Sequence, residues 1–130
     1  MSTDSNQGVS PSNSNPELVL VLTTEADADR ADALARALVE QGLAACVSQM
    51  PVRSTYRWQG QLECAQEVQL LIKTTPEGWP ALEQGLLGLH SYDTPELLHW
   101  RVQASEAYGA WAIDAVAQVK PDFKIGRAHV

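Results

Sequence analysis

The segment from Leu43 to Thr75 decides the fold, and it reads LAACVSQMPVRSTYRWQGQLECAQEVQLLIKTT. Gln59 and Gly60 separate two long β-rich arms, and a short glycine-containing connection of this kind predicts a β-hairpin. Pro51 interrupts the first arm, so we expect a bend or a β-bulge there. Arms of this length project beyond a small domain and leave one strand edge without a partner in the chain, which favours pairing with another subunit.

The segment before the hairpin predicts a buried strand and a helix. The run PELVLVLTT lacks polar alternation, which is typical of a strand buried on both faces, and we place this strand from Glu17 to Thr24. Apolar residues then recur at helical spacing between residues 31 and 39. Thr24 is the predicted N-cap of this helix, and Gly42 follows its last turn.

The segment after the hairpin predicts a second helix, another strand and a final helix. Pro76 suits the first turn of the second helix, whose apolar stripe comprises Trp79, Leu82, Leu86 and Leu89. TPELLHWRVQ predicts a strand that begins at Pro95, and Ser105 caps a final helix. The order is βαββαβ followed by a helix, in which two split βαβ units share the long β2–β3 hairpin. This order predicts the α+β class and a ferredoxin-like sandwich, an antiparallel sheet with helices on one face.

Composition limits where the folded domain lies. Residues 1–15 are rich in Ser and Asn and carry almost nothing apolar, so we expect a disordered N-terminal tail. The folded domain is predicted over residues 16–119. Residues 120–130 fit no periodicity and are interpreted as a C-terminal tail, part of which is foreign to the natural sequence.

Charge and cysteine content exclude several classes of partner. The chain has 130 residues and a formal net charge of −7, so it offers no general grip on phosphate backbones, and we expect no nucleic acid partner. The apolar runs are far shorter than the ~20 residues of a membrane span, and the protein is expected to be cytoplasmic. Two cysteines, Cys46 and Cys64, do not form a CxxC pair or a disulfide framework. Any metal site must therefore recruit carboxylates or a second subunit.

Several separated motifs resemble the CutA family of divalent-cation tolerance proteins across nearly all of residues 17–119. They are Leu43-Ala44-Ala45-Cys46, Trp58-x-Gly60, Glu67 followed by Lys73-Thr74, and His90-x-Tyr92-x-x-Pro95-Glu96. The resemblance implies a ferredoxin-like subunit in a tight homotrimer whose hairpin arms pair across subunits. It also implies a link to copper or another divalent cation.

Carried over by position, the resemblance implies a metal site at Cys46 and His90. A ligand-binding cleft between subunits would include Trp58, Glu67, Lys73, Tyr92 and Glu96. Two family positions differ, because some members have a cysteine where this chain has Thr23 and a histidine where it has Leu89. One thiol and one imidazole are too few for tight copper binding unless Glu67, Glu96 or another chain adds donors.

Each of these residues also has a structural interpretation. Cys46 could be a small buried side chain of a strand, and His90 a favourable charge at a helix C-terminus. Lys73 with Glu67 and Glu96 could form an interface salt-bridge network, and Trp58 could serve packing.

The sequence has no nucleophile with an adjacent base, no phosphate-binding glycine loop and no HExxH motif, so no enzymatic activity is predicted. The favoured function is a trimeric protein that responds to metal ions. The alternatives are a signalling module similar to the PII proteins, which binds a small metabolite in the cleft, and a structural trimer with indirect effects on tolerance.

Overall fold

A computed structural model describes residues 15–117 as four strands and three helices. In chain order the elements are β1 (Glu17–Glu25), α1 (Ala28–Glu40), β2 (Cys46–Trp58), β3 (Gln61–Thr74), α2 (Trp79–Leu89), β4 (Leu98–Gln103) and α3 (Glu106–Ala117). The strands form one antiparallel sheet in the order β2-β3-β1-β4. This order confirms the predicted ferredoxin-like fold and leaves β2 and β4 as edge strands. The two predicted tails lie outside the described residues, apart from Asn15 at one end, and the predicted domain boundaries stay a prediction.

The central hairpin forms because its turn residues accept left-handed backbone conformations. Gln59 has a φ of 51° and Gly60 a φ of 79°, and two positive φ angles in a row define the turn that matches the twist of paired strands. The register then runs without a slip from Trp58 paired with Gln61 to Cys46 paired with Lys73. The connection was therefore predicted correctly.

The predicted bulge at Pro51 was wrong. Pro51 pairs directly with Val68 within an unbroken ladder. An edge strand has no partner on its outer side, so a proline can remain in line there without removing a hydrogen bond that the sheet needs.

The two faces of the sheet differ in what covers them. Alternate residues point to opposite faces, and the row formed by Val21, Ile72 and Val47 faces α1 and α2, where the main core cluster lies. The opposite face carries Leu18, which packs against Ala112 of α3 at one end of the sheet. Elsewhere on that face, side chains such as Met50, Tyr56 and Trp100 are exposed in the single chain, and we call it the open face.

Helix and strand boundaries differ from the predictions at three places. Strand β1 continues to Glu25, which still pairs with Val68. Thr24 therefore lies within the strand and is not the N-cap of α1. The cap is Asp27, whose side chain accepts the Arg30 N–H at 2.8 Å. Helix α2 begins at Trp79, so Pro76 precedes it.

Strand β4 begins at Leu98 rather than at Pro95. Leu89, the last member of the predicted apolar stripe of α2, is exposed. Gly42, with a φ of 72°, ends α1 as predicted, and Ser105 accepts the Tyr108 N–H at the start of α3.

Candidate functional site

His90 lies directly after α2, and its ring is completely enclosed. The imidazole is 0% exposed, and its Nε2 lies 2.7 Å from the Thr24 carbonyl oxygen and 3.1 Å from the Thr23 hydroxyl. The backbone N–H of Tyr92 donates to Nδ1 at 3.0 Å. Because Nδ1 accepts a hydrogen bond, it carries no proton, and the proton of the neutral ring sits on Nε2 and is donated to Thr24. Both ring nitrogens are therefore engaged within the chain.

Glu25 is the residue of this site that the sequence did not identify. It is 1% exposed at the end of β1. Its carboxylate accepts the Ser91 N–H at 3.1 Å and the Ser91 hydroxyl, and it lies 3.6 Å from Nδ1 of His90. A glutamate after a buried strand usually marks the return of the chain to solvent. The one signal in the sequence was that β1 could extend one residue past Thr24 and so carry this side chain inward.

Tyr92 connects this loop to the central hairpin. Its hydroxyl donates to the Glu67 carboxylate at 2.7 Å. Burial, followed by the hydrogen bond to Glu67 and the negative charge of that carboxylate, raises the pKa of Tyr92 well above its ordinary value. The predicted cleft residues Glu67 and Tyr92 are therefore in contact, beside His90.

Replacing Tyr92 with phenylalanine is expected to reduce the loss of stability at alkaline pH. The folded pKa of Tyr92 lies above the unfolded value of about 10, so its contribution is present below pH ~10 and disappears as pH rises through the folded pKa. Urea unfolding at pH 8 and pH 11 should show a larger drop for the wild type than for Tyr92→Phe. Equal drops in the two proteins would contradict the hydrogen bond to Glu67. Tyr108→Phe is a second test of the same principle: burial also raises the pKa of Tyr108, so this variant should lose less stability than the wild type as well.

Cys46 and Lys73 form a second group, on the open face of the sheet. The two residues are directly paired between β2 and β3, and the Lys73 ammonium lies 3.8 Å from the Cys46 thiol and 3.0 Å from the Ser48 hydroxyl. Cys46 is half-buried, while Cys64 on the hairpin arm is exposed. The pKa of Tyr108 is raised by burial and by the neighbouring Cys46, which places α3 beside this thiol.

The single chain does not bring Cys46 and His90 together. Cys46 shares a row with Lys73 and Leu20 on the open face, whereas the Thr23 side chain beside His90 points to the helix-covered face. Thr23 is also three residues along β1 from Leu20, a distance of about 10 Å. A site that uses both Cys46 and His90 therefore requires donors from different subunits.

Trp58 lies apart from both groups, whereas Glu96 belongs to the same loop as His90 and Tyr92. Trp58 is at the hairpin tip and 55% exposed. It is six residues, or about 20 Å, along β2 from Val52, which pairs with Glu67. Glu96 is exposed in the loop before β4. Within one chain, the residues predicted to line the cleft therefore do not all lie together.

An open groove of about 640 Å³ runs beside the contact between Tyr92 and Glu67. It lies between the start of α1 and the hairpin arms. Its charged lining residues are Asp27, Arg53 and Glu67. A groove with both signs of charge suits a small polar ligand better than a bare cation.

The donor set of one chain does not fit a copper ion. Within residues 15–117, no cluster of three or more His, Cys, Asp or Glu side chains is placed to hold a metal. Thr23 stands where some members of the family that the sequence resembles have a cysteine. Its hydroxyl contacts the His90 ring. A hydroxyl is a poor ligand for copper compared with a thiolate.

The sequence model of a family described as CutA1 divalent ion tolerance protein matches residues 19–115. The chain belongs to the CutA family. It is 43% identical over 97 residues to the divalent-cation tolerance protein CutA of Pectobacterium atrosepticum, covering 73% of this chain and 88% of that protein. It is 44% identical over 80 residues to the CutA protein of Thermus thermophilus, covering 61% and 78%.

Solved structures of CutA proteins share the fold. CutA from Synechococcus elongatus superposes with a TM-score of 0.76 at 43% identity, covering 78% of this chain and 91% of that one. CutA from Xylella fastidiosa gives 0.73 at 40% identity, with 76% and 97% covered. No helix among residues 15–117 has the length and apolar character that a membrane crossing requires.

Proposed function

We propose that this chain is a homotrimeric divalent-cation tolerance protein that binds copper or a similar cation weakly in clefts between subunits, acts in the response to metal ions and catalyses no reaction. The observation that carries the proposal is the open face of the sheet. Leu98 and Trp100 on β4, and Met50, Tyr56 and Trp58 on β2, point to this face and are 42–55% exposed. Large apolar side chains left exposed on one face of a sheet favour an interface that covers them.

The free edges of the sheet support association in the same way. The outer edge of β2 exposes backbone donors and acceptors along thirteen residues, and an edge of this length is normally paired or covered. Tyr108 and Trp111 of α3 extend the apolar surface beyond the sheet. Three subunits that cover one another's open faces would bury both the patch and the edges.

Weak cation binding follows from the chemistry of the groups available to each cleft. Cys46 supplies one soft donor, but the Lys73 ammonium 3.8 Å away repels a second positive charge. His90 can act as a ligand only after a ring nitrogen leaves Thr24 or Tyr92. The repulsion by Lys73 and the loss of a His90 hydrogen bond both lower the affinity for a cation.

Calorimetry with copper(II) and zinc tests the proposed ligands. In a Cys64→Ser background, which removes the exposed thiol, replacing Cys46 with serine or His90 with alanine is expected to weaken binding by at least about tenfold, since a lost ligand should cost no less than a lost supporting residue. Cys64→Ser alone should bind as the wild type does. Equal heats for all variants, or no heat for any, would contradict the proposed site.

A second candidate function is supported by the groove. Its volume of about 640 Å³ and its lining by Asp27, Arg53 and Glu67 suit a small anionic or zwitterionic metabolite. The protein would then act as a signalling module similar to the PII proteins.

A thermal-shift screen of nucleotides and organic acids separates the two candidates. A ligand present at 100 times its dissociation constant should stabilise the protein by about 2.7 kcal/mol. A shift with a metabolite that Arg53→Met abolishes would favour the second candidate. No shift with any metabolite, together with heat from copper, would favour the first.

A further inference from the structure

The buried carboxylate of Glu25 makes its hydrogen bonds mainly to the loop that follows α2. Its two oxygens accept the Ser91 N–H at 3.1 Å and the Ser91 hydroxyl, and the adjacent Ala26 N–H lies 3.3 Å away. Among residues 15–117, its one ion-pair contact is with His90, whose ring is neutral in the tautomer described above. A buried carboxylate without a cationic partner depends on such hydrogen bonds. Releasing the loop would therefore leave the carboxylate unsatisfied.

Ser91 stands between the two residues that give this loop its chemistry. His90 precedes it and Tyr92 follows it, and the Tyr92 N–H closes back onto Nδ1 of His90. Fixing both the amide and the hydroxyl of Ser91 therefore restricts the backbone on either side. It holds the His90 ring against Thr24 and directs the Tyr92 hydroxyl to Glu67 on the hairpin.

We propose that Glu25 is the positioning residue of the candidate cleft, which clamps Ser91 and thereby keeps the His90 imidazole turned inward and Tyr92 bonded to the hairpin. The inference rests on the proposed function only in treating this loop as a wall of the cleft. In the clamped state neither nitrogen of His90 is open to a ligand. The clamp therefore controls access to the residue that the family resemblance assigns to metal binding.

Four variants isolate the clamp. Glu25→Met keeps the size of the side chain and removes its acceptors, whereas Glu25→Gln retains an acceptor for the Ser91 N–H and gains a donor for the Ser91 hydroxyl. Ser91→Ala removes the hydroxyl and leaves Glu25 in place. Asp93→Asn changes an exposed carboxylate of the same loop and serves as the control.

Two measurements on the ion-free protein report on the clamp. Amide hydrogen exchange at Ser91 and Tyr92 is expected to accelerate at least about tenfold in Glu25→Met and Ser91→Ala, which corresponds to about 1.4 kcal/mol of opening free energy. Nitrogen-15 spectra of the imidazole should show one protonated and one bare nitrogen in the wild type, and averaged signals in both variants. His99, which is exposed and stacks on Trp79, is the internal reference.

Glu25→Gln and Asp93→Asn should match the wild type in both measurements. Wild-type exchange and a fixed tautomer in Glu25→Met would overturn the proposal. If that variant does not fold, as judged by exchange at Leu70 in the core, Ser91→Ala decides in the same way. A Gln variant as loose as the Met variant would also overturn a clamp based on hydrogen bonds. Neither measurement uses a cation, so failure here is distinct from failure of the calorimetric test.

Discussion

Replacing Trp100 with aspartate is expected to convert the proposed trimer into monomers. Trp100 lies on the open sheet face, on the edge strand β4 where it pairs with Leu20, and is 44% exposed in the single chain. A carboxylate enclosed between subunits without a partner costs several kcal/mol at each of three equivalent interfaces. Sedimentation velocity should therefore show a threefold fall in mass.

Val39→Asp is the matched control for this experiment. Val39 is also 44% exposed, but it lies on α1, on the side of the sheet away from the proposed interface. This variant should keep the mass of the wild type. If Trp100→Asp unfolds the subunit, Leu98→Asp provides a second test on the same face. A Leu98→Asp protein that is folded and still trimeric would remove the sheet face as the interface.

Replacing His90 with alanine is expected to lower the free energy of unfolding of the metal-free protein by about 2–4 kcal/mol. The change opens a cavity where a fully enclosed ring lay, and it leaves the Thr24 carbonyl and the Tyr92 N–H without their partners. Urea unfolding at a single protein concentration measures the loss.

His99→Ala separates this effect from the removal of any histidine ring. His99 stacks on Trp79 with ring centroids 4.3 Å apart, but the residue is exposed, so its removal should cost less than about 1.5 kcal/mol. A histidine that served only as a ligand would leave the metal-free protein unchanged. An unaltered midpoint for His90→Ala would therefore contradict the enclosed geometry.

The hairpin and the order of the elements could be predicted because they depend on local patterns. The turn at Gln59 and Gly60, the buried strand before α1 and the apolar stripe of α2 are each encoded within a few residues. The mistakes arose where pairing between distant segments decides the outcome. Thr24 and Asp27 are both good caps, and the pairing of Glu25 with Val68 selects Asp27.

The candidate site was predicted only in part for the same reason. Tyr92 and Glu67 were assigned to one cleft through the family resemblance, and their hydrogen bond places them together. The sequence left His90 between a metal ligand and a charge at the end of a helix, whereas the structure gives it a neutral ring bonded on both sides. Glu25 was missed because the burial of a carboxylate depends on a loop more than sixty residues away.

The mass of the wild-type protein in solution tests the central claim most directly. Multi-angle light scattering over a range of dilutions should give three times the mass of one chain throughout, because in the proposed trimer other subunits cover the open sheet face and the free edge of β2. A mass equal to one chain, with the fold intact, would contradict both the trimer and the shared clefts.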